Sequence, residues 1–135
     1  MLGVTLDTNI YVSALEFGGI GARLLGMARA GMFRIDVSDA ILDEVVTVLR
    51  DDFRWDGYRL HFGREQIANM ANRVVPKQEL DVIKEDPDDN RILECVVEAK
   101  SDLIVSWDKD HLRLGSLGNL RIVTAKEFVE MMVRR

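Results

Sequence analysis

Cysteine, proline and long apolar runs are all scarce in this chain. Cys95 is the only cysteine among 135 residues, which excludes an intramolecular disulfide and any thiolate-rich zinc site. It lies in RILECVVEA, a segment that reads as a buried helix, where a free cysteine behaves as a small hydrophobe rather than a nucleophile. Only two prolines occur, with 47% hydrophobic and 30% charged residues. That composition excludes a disordered or collagen-like chain. The apolar stretches are short and bounded by charge, and no basic segment followed by an apolar run opens the chain. Neither a membrane span nor a signal peptide is expected, and the protein reads as cytoplasmic. Excess positive charge is missing too: the formal net charge of -5 argues against whole-molecule attraction to nucleic acid, so any such surface must be local. Repeats, low-complexity tracts and linkers are absent. The length suits one domain over residues 1–135, burying roughly two-thirds of its unfolded surface.

What is present alternates between two periodicities. Residues 2–6 form an apolar, β-branched run that reads as a buried strand ending at Asp7, with Thr8 and Asn9 opening a turn. Helical spacing follows over 10–15 and 20–30, and Gly31 suits the residue after a helix end. Residues 33–37 suit a second strand. Ser38 caps an expected helix over 39–50 whose apolar stripe is Ile41, Leu42, Val45, Val46 and Leu49. Residues 51–63 lack clear periodicity and read as loop or irregular helix, while 64–75 read as helix ended by Pro76. Asp86, Pro87 and Asp89 form a helix-start signature for a helix reaching Lys100. Strands are expected at 103–106 and, after the turn at Gly115 and Gly118, at 120–123. Thr124 and Glu127 form a capping box for a terminal helix that carries Met131 and Met132. Strands alternating with helices imply an α/β fold, a parallel sheet covered on both faces.

Four acidic residues stand where apolar runs give way to turns or helices: Asp7, Glu44, Asp89 and Asp108. An open parallel sheet gathers its strand ends along one edge, so such residues can meet in one cleft. Crowded carboxylates repel one another unless a cation or protons neutralise them, which makes a metal site the natural reading. Each residue also has a simpler explanation. Asp7 and Asp108 can form turns, Glu44 can lay its stem on the core with its head in water, and Asp89 can serve a helix start.

As a set they resemble a known family. LDTNIYVSAL, then S-x-x-I-L-x-E, then DPDDNRILECVVEAKSDLIVSWDKDHL and a closing I-V-T before a helix are similar to PIN-domain ribonucleases, most of all those regarded as toxins of toxin–antitoxin pairs. The similarity covers nearly the whole chain, and DPDDNRILE followed by a strand and S-x-D-K-D is its most specific part. It implies a three-layer α/β/α sandwich with a central parallel sheet of four to five strands. By motif, the family's metal-binding acids match Asp7, Glu44, Asp89 and Asp108, while Asn9 and Ser106 match polar positions that orient them. Asp88 and Asp110 stand beside these acids as substitutes or supports. Trp107 occupies a place where many relatives carry threonine or another small residue, and its bulk bears on how Asp108 is disposed.

The resemblance implies an endoribonuclease using Mg²⁺ or Mn²⁺, since an all-oxygen ligand set selects hard cations over zinc. Asp7, Glu44 and Asp89 would hold a first ion, with Asp108 helping it or a second one. The expected partners are RNA, an antitoxin protein and further copies of the chain in a homodimer or higher oligomer. The segment 50–64 mixes Arg50, Arg54, Arg59 and Arg64 with Phe53, Trp55, Tyr58, His61 and Phe62. It could hold RNA or a protein partner through Arg50, Arg54, Trp55 and Arg59, or place its aromatics in the core while the arginines stay solvated. His61 and His111 lack ligand-like spacing. Rival readings are another Mg-dependent phosphoryl hydrolase or a non-catalytic RNA-binding or interaction module of the same fold. A dehalogenase-type phosphatase needs an aspartate where Asn9 stands. A receiver domain needs an acidic pair at the first strand end and a lysine on its last strand, and neither is found.

Overall fold

Val4, Thr5 and Leu6 supply the β-branched and apolar side chains that make β1 (Gly3–Leu6) a strand buried along its whole length. The computed structural model describes residues 1–81, 89–108 and 120–134. After β1 come α1 (Thr8–Glu16), α2 (Gly19–Arg29), β2 (Arg34–Ser38), α3 (Asp39–Phe53), α4 (Gly57–Met70) and β3 (Asn72–Val74). The chain continues with α5 (Asp89–Ala99), β4 (Leu103–Ser106), β5 (Arg121–Thr124) and α6 (Ala125–Val133). Five strands form one sheet in the order β3-β2-β1-β4-β5, with every neighbouring pair parallel.

That order has a functional consequence. From β1 the chain steps outward to β2 and β3, then returns past β1 to add β4 and β5 on the other side. The direction of winding therefore reverses between β1 and β4, the place where open α/β sheets leave a crevice at their carboxyl ends. Helices cover the sheet to give the α/β/α sandwich: α5 packs on β1 and β2, α6 on β4 and β5, and α3 on β2, while α2 meets both α1 and α6. Phe33 and Phe128 meet edge to face with centroids 4.8 Å apart in the core. Gly21 lets α1 and α2 approach, because a Cβ there would lie 2.9 Å from the carbonyl oxygen of Ile10 and 3.0 Å from the amide nitrogen of Ala14. No described helix is long and apolar enough to cross a membrane.

Local signals account for most boundaries. The Ser38 hydroxyl accepts from the amide of Ile41, Gly31 adopts φ 83°, and Thr124 and Glu127 form the reciprocal capping box. Three expectations need correction. Thr8 and Asn9 begin α1 directly rather than forming a separate turn. For residues 51–63 the loop reading fails and the helical one holds in broken form: α3 runs to Phe53, Arg54 turns the chain in a left-handed conformation, and the Asp56 carboxylate caps α4 by accepting from the amide of Arg59 at 2.8 Å. Helix α4 buries only Gly63 and Ile67, so it leaves little periodic trace. The helix expected over 64–75 stops at Met70, and Asn72–Val74 pair instead with β2 as an edge strand. The Asp86 and Pro87 start signal, and the turn at Gly115 and Gly118, lie outside the described residues.

One polar knot interrupts the apolar core. Asp36 on β2 is fully buried and accepts from Arg34 Nε at 2.6 Å, Asn72 Nδ2 at 2.9 Å and Ser101 Oγ at 2.7 Å. Ser101 shares a 2.8 Å hydrogen bond with Thr5. A buried carboxylate satisfied in this way joins β2, β3 and the residues just before β4, where its donors lie, and reaches β1 through the Ser101–Thr5 bond.

Candidate active site

Asp7 is the first residue beyond β1 and continues the β1–β4 ladder by one bond, its amide donating to the carbonyl of Val105 at 2.9 Å. It occupies the cap position of α1, yet its side chain makes no capping bond to that helix. The carboxylate instead accepts from Ser106 Oγ at 3.1 Å and is only 6% exposed. Ser106, the last residue of β4, is buried too, and its Oγ accepts from the amide of Asp108 at 3.4 Å. A serine hydroxyl has one proton to give and lone pairs to receive, so both bonds can exist together. One hydroxyl thereby joins the Asp7 carboxylate to the turn carrying Asp108, across the point where the sheet reverses direction.

Trp107 does not crowd this junction. Its Nε1 donates to the backbone oxygen of Asn9 at 3.2 Å, and 42% of the residue stays exposed. The indole thus ties the turn after β4 to the first turn of α1. Asn9 is itself exposed.

Asp89 opens α5 and is 6% exposed, with Asn90 beside it at 1%. Because α5 leads into a strand parallel to the others, its first residue belongs to the carboxyl edge of the sheet and its last to the amino edge. Glu44 lies in α3, half-buried, between the core residues Ile41, Leu42 and Val45. At 1.5 Å per residue it sits roughly 9 Å along the axis from Ser38 at the helix start. Helix α3 touches α1 and α5, so the elements bearing Asp7, Glu44 and Asp89 are neighbours. Helices α1, α3 and α5 all begin at this edge, and the positive ends of their dipoles offset part of the repulsion among the acids.

Donor type fits a hard divalent cation, for the four acids present only carboxylate oxygens. Cys95 offers no alternative: burial pushes its thiol up to about 12, with Thr5 opposing and Asp36 adding to the shift, so it stays protonated. Among the described residues, no three carboxylate, imidazole or thiol side chains are already gathered around one point suited to an ion. Asp88 and Asp110 lie outside the described residues, as does His111. A cavity of about 610 Å³, bounded by Leu2, Leu103, Arg121 and the α6 residues Met131 and Met132, opens at the strand starts, the opposite edge from the acids.

The arginine-rich segment forms the corner between α3 and α4. Trp55 is buried there, with Nε1 donating to Glu16 Oε2 at 2.5 Å and the Arg59 guanidinium 3.8 Å from its ring centroid. It therefore offers no open face to a base. Arg50 pairs with Asp51 on the surface, and Arg54 and Arg59 are exposed. Tyr58 and Phe62 point away from the core at 84% and 56% exposure, whereas Phe53 is half-buried and meets Phe17 edge to face. The site features that sequence reasoning missed are the double role of the Ser106 hydroxyl and the tether from Trp107. The bonds from Ser106 to Asp7 and from Trp107 to Asn9 leave no local signal, because they join segments about a hundred residues apart.

Comparison with curated proteins finds no match. The sequence profile of the PIN domain matches residues 3–110, the stretch that contains Asp7, Glu44, Asp89 and Asp108. With four-fifths of its length matched and a five-stranded parallel sheet at its centre, the chain belongs to the PIN-domain family, whose members are in general nucleases.

Proposed function

We propose that this protein is an endoribonuclease that hydrolyses RNA phosphodiester bonds with Mg²⁺ or Mn²⁺ and acts as the toxin of a toxin–antitoxin pair. Family membership supplies the coarse activity, that of a nuclease, and PIN-domain nucleases generally use divalent ions. The observation that carries the finer reading is the buried Asp7 carboxylate, which leaves its own helix uncapped and is held by Ser106 at the switch point of the sheet. An acid serving only as a helix cap would bond the first amides of that helix.

In this reading Asp7, Glu44 and Asp89 hold the ion, and Asp108 assists. Such an ion, when bound, supplies positive charge to the phosphate and makes a water acidic enough to attack. Everything else falls to the chain. Ser106 fixes the rotamer of Asp7 and the start of the Asp108 turn, Asn9 lends its backbone to hold Trp107, and Asp88 and Asp110 support their neighbouring acids. Four carboxylates gathered at one edge would repel phosphate without a cation, so metal and substrate binding are coupled. No side chain has to become a covalent nucleophile, which suits a chain whose one thiol is buried and protonated.

The toxin role rests on the resemblance of LDTNIYVSAL and DPDDNRILE to such proteins, and the exposed Phe17, Tyr58 and Phe62 suit a protein partner. Purified protein should cleave single-stranded RNA with Mg²⁺ or Mn²⁺ and stop with EDTA. Asp7→Asn and Asp89→Asn should abolish cleavage while circular dichroism and melting stay unchanged. Metal-independent cleavage, or undiminished activity in either variant, would refute the mechanism. Expression that fails to arrest growth would refute the toxin role alone.

A further inference from the structure

Trp107 lies between the two residues that organise the candidate site, with Ser106 before it and Asp108 after it. It is a large aromatic left 42% exposed. Its one polar atom, Nε1, is already committed to the carbonyl of Asn9 at 3.2 Å. An indole whose edge is anchored and whose surface remains open has little rotational freedom to lose on contact. It can meet a ligand only through its π surface, and nucleobases are the groups of RNA that bind such surfaces.

We propose that Trp107 is a base platform: a nucleobase of single-stranded RNA, flanking the phosphodiester bond presented to Asp7 and Asp108, stacks on its indole. The proposal rests on the RNA-cleaving reading of the site and deepens it. Because stacking needs only a π-face, the platform selects an unstacked nucleotide at one position rather than a particular base, and it excludes duplex RNA, whose bases are hidden in their stack. Tethering to Asn9 also couples the platform to the first turn of α1, which carries Asp7.

The test uses single-stranded oligoribonucleotides in which one abasic nucleotide is moved along the strand. In the wild type, one abasic position beside the scissile bond should raise KM roughly tenfold, as expected for the loss of one stack. Trp107→Ala should show the same rise with intact RNA and no further response to that abasic site, while Trp107→Phe keeps the discrimination. A binding arm makes the outcome independent of turnover. The emission present in wild type and missing in Trp107→Phe belongs to Trp107, and intact single strands should quench it with Ca²⁺ in place of Mg²⁺. Quenching in Ca²⁺ with no cleavage once Mg²⁺ or Mn²⁺ is supplied would sustain the platform and sink the nuclease reading. Absence of quenching by any single strand, or an abasic profile unchanged in Trp107→Ala, overturns the platform even if the protein cleaves RNA; binding of protein partners weakened by Trp107→Ala would then assign the residue to an interface.

Discussion

Ser106 donates its hydroxyl proton to Asp7 across 99 residues of sequence, at 3.1 Å, and the same oxygen receives the amide of Asp108. The two strands that bring these residues together, β1 and β4, are hydrogen-bonded neighbours at the place where the sheet changes its direction of winding. A buried acid oriented by a buried hydroxyl cannot drift between rotamers, which is what a charged group must avoid if it is to position a cation or a phosphate.

Ser106→Ala is therefore expected to lower kcat for RNA cleavage by roughly ten- to a hundredfold, the range typical of lost orienting bonds behind a metal ligand. Ser106→Thr should recover much of it by keeping the hydroxyl. Apparent affinity for Mg²⁺, measured by titrating activity, should weaken in the alanine variant and return in the threonine one. An alanine variant with wild-type kcat and metal dependence would show that Asp7 needs no such support.

Gly3→Ala should be destabilising. A Cβ at position 3 would lie 2.0 Å from Nη2 of Arg34, an end of the side chain that is bonded to the buried Asp36, so the guanidinium must shift against that carboxylate. Moving the arginine leaves the carboxylate short of a partner, and we expect a loss of about 2–4 kcal/mol in urea unfolding. Arg34 itself stays charged throughout, because its bond to Asp36 raises it above its ordinary value. A Gly3→Ala protein of wild-type stability would show that the guanidinium yields to the new Cβ without loosening its hold on Asp36.

Alkaline conditions should weaken the fold. Burial raises the Cys95 thiol from 9.0 to about 12 in the native state, so between those values the unfolded chain loses a proton that the native chain keeps. The thiol's contribution is complete below pH about 9 and declines as pH rises toward 12. Tyr11, shifted upward chiefly by burial as well, adds to the decline above its ordinary 10.0. At pH about 10.5 the Cys95 share is of order 2 kcal/mol. Denaturation midpoints at neutral and alkaline pH should separate less in Cys95→Ala than in wild type; equal separation would exclude the thiol as a cause.

Tyr11→Phe should leave stability at neutral pH unchanged or raise it by about 1 kcal/mol. The Tyr11 hydroxyl is fully buried and finds no hydrogen-bond partner among the described residues. Its removal discards a desolvated polar group while keeping the ring in the core. A loss of more than ~1 kcal/mol in equilibrium unfolding would reveal a bond worth more than the burial it offsets.

Legibility in the sequence followed the range of the physics involved. Strands β1, β2, β4 and β5 were readable because short β-branched runs between helices have few other uses, and Ser38, Gly31 and the Thr124–Glu127 pair mark helix ends through bonds of three or four residues' reach. Helix α4 was readable only from residue 64 onward, because the exposed Tyr58, His61 and Phe62 erase the polar side of the pattern in its first half. Strand β3 escaped for a different reason: three residues with one half-buried side chain become a strand only because β2 offers an unpaired edge and Asp36 holds Asn72.

The candidate site divides along the same line. Singly, Asp7, Glu44, Asp89 and Asp108 each had a simpler explanation, and it was their order along the chain and the family resemblance it carries that marked them as one set for a common sheet edge. The sequence could not say that Asp7 leaves its helix uncapped, that Ser106 serves two acidic segments with one hydroxyl, that Trp55 is enclosed while Trp107 remains open, or that Asn9 anchors the indole. Composition and periodicity act over a few residues and so determined the elements and the chemistry they carry. Which polar groups meet was left to the order of strands in the sheet, because hydrogen bonds act over about 3 Å and only tertiary packing brings residues 7, 9, 106 and 107 within that reach.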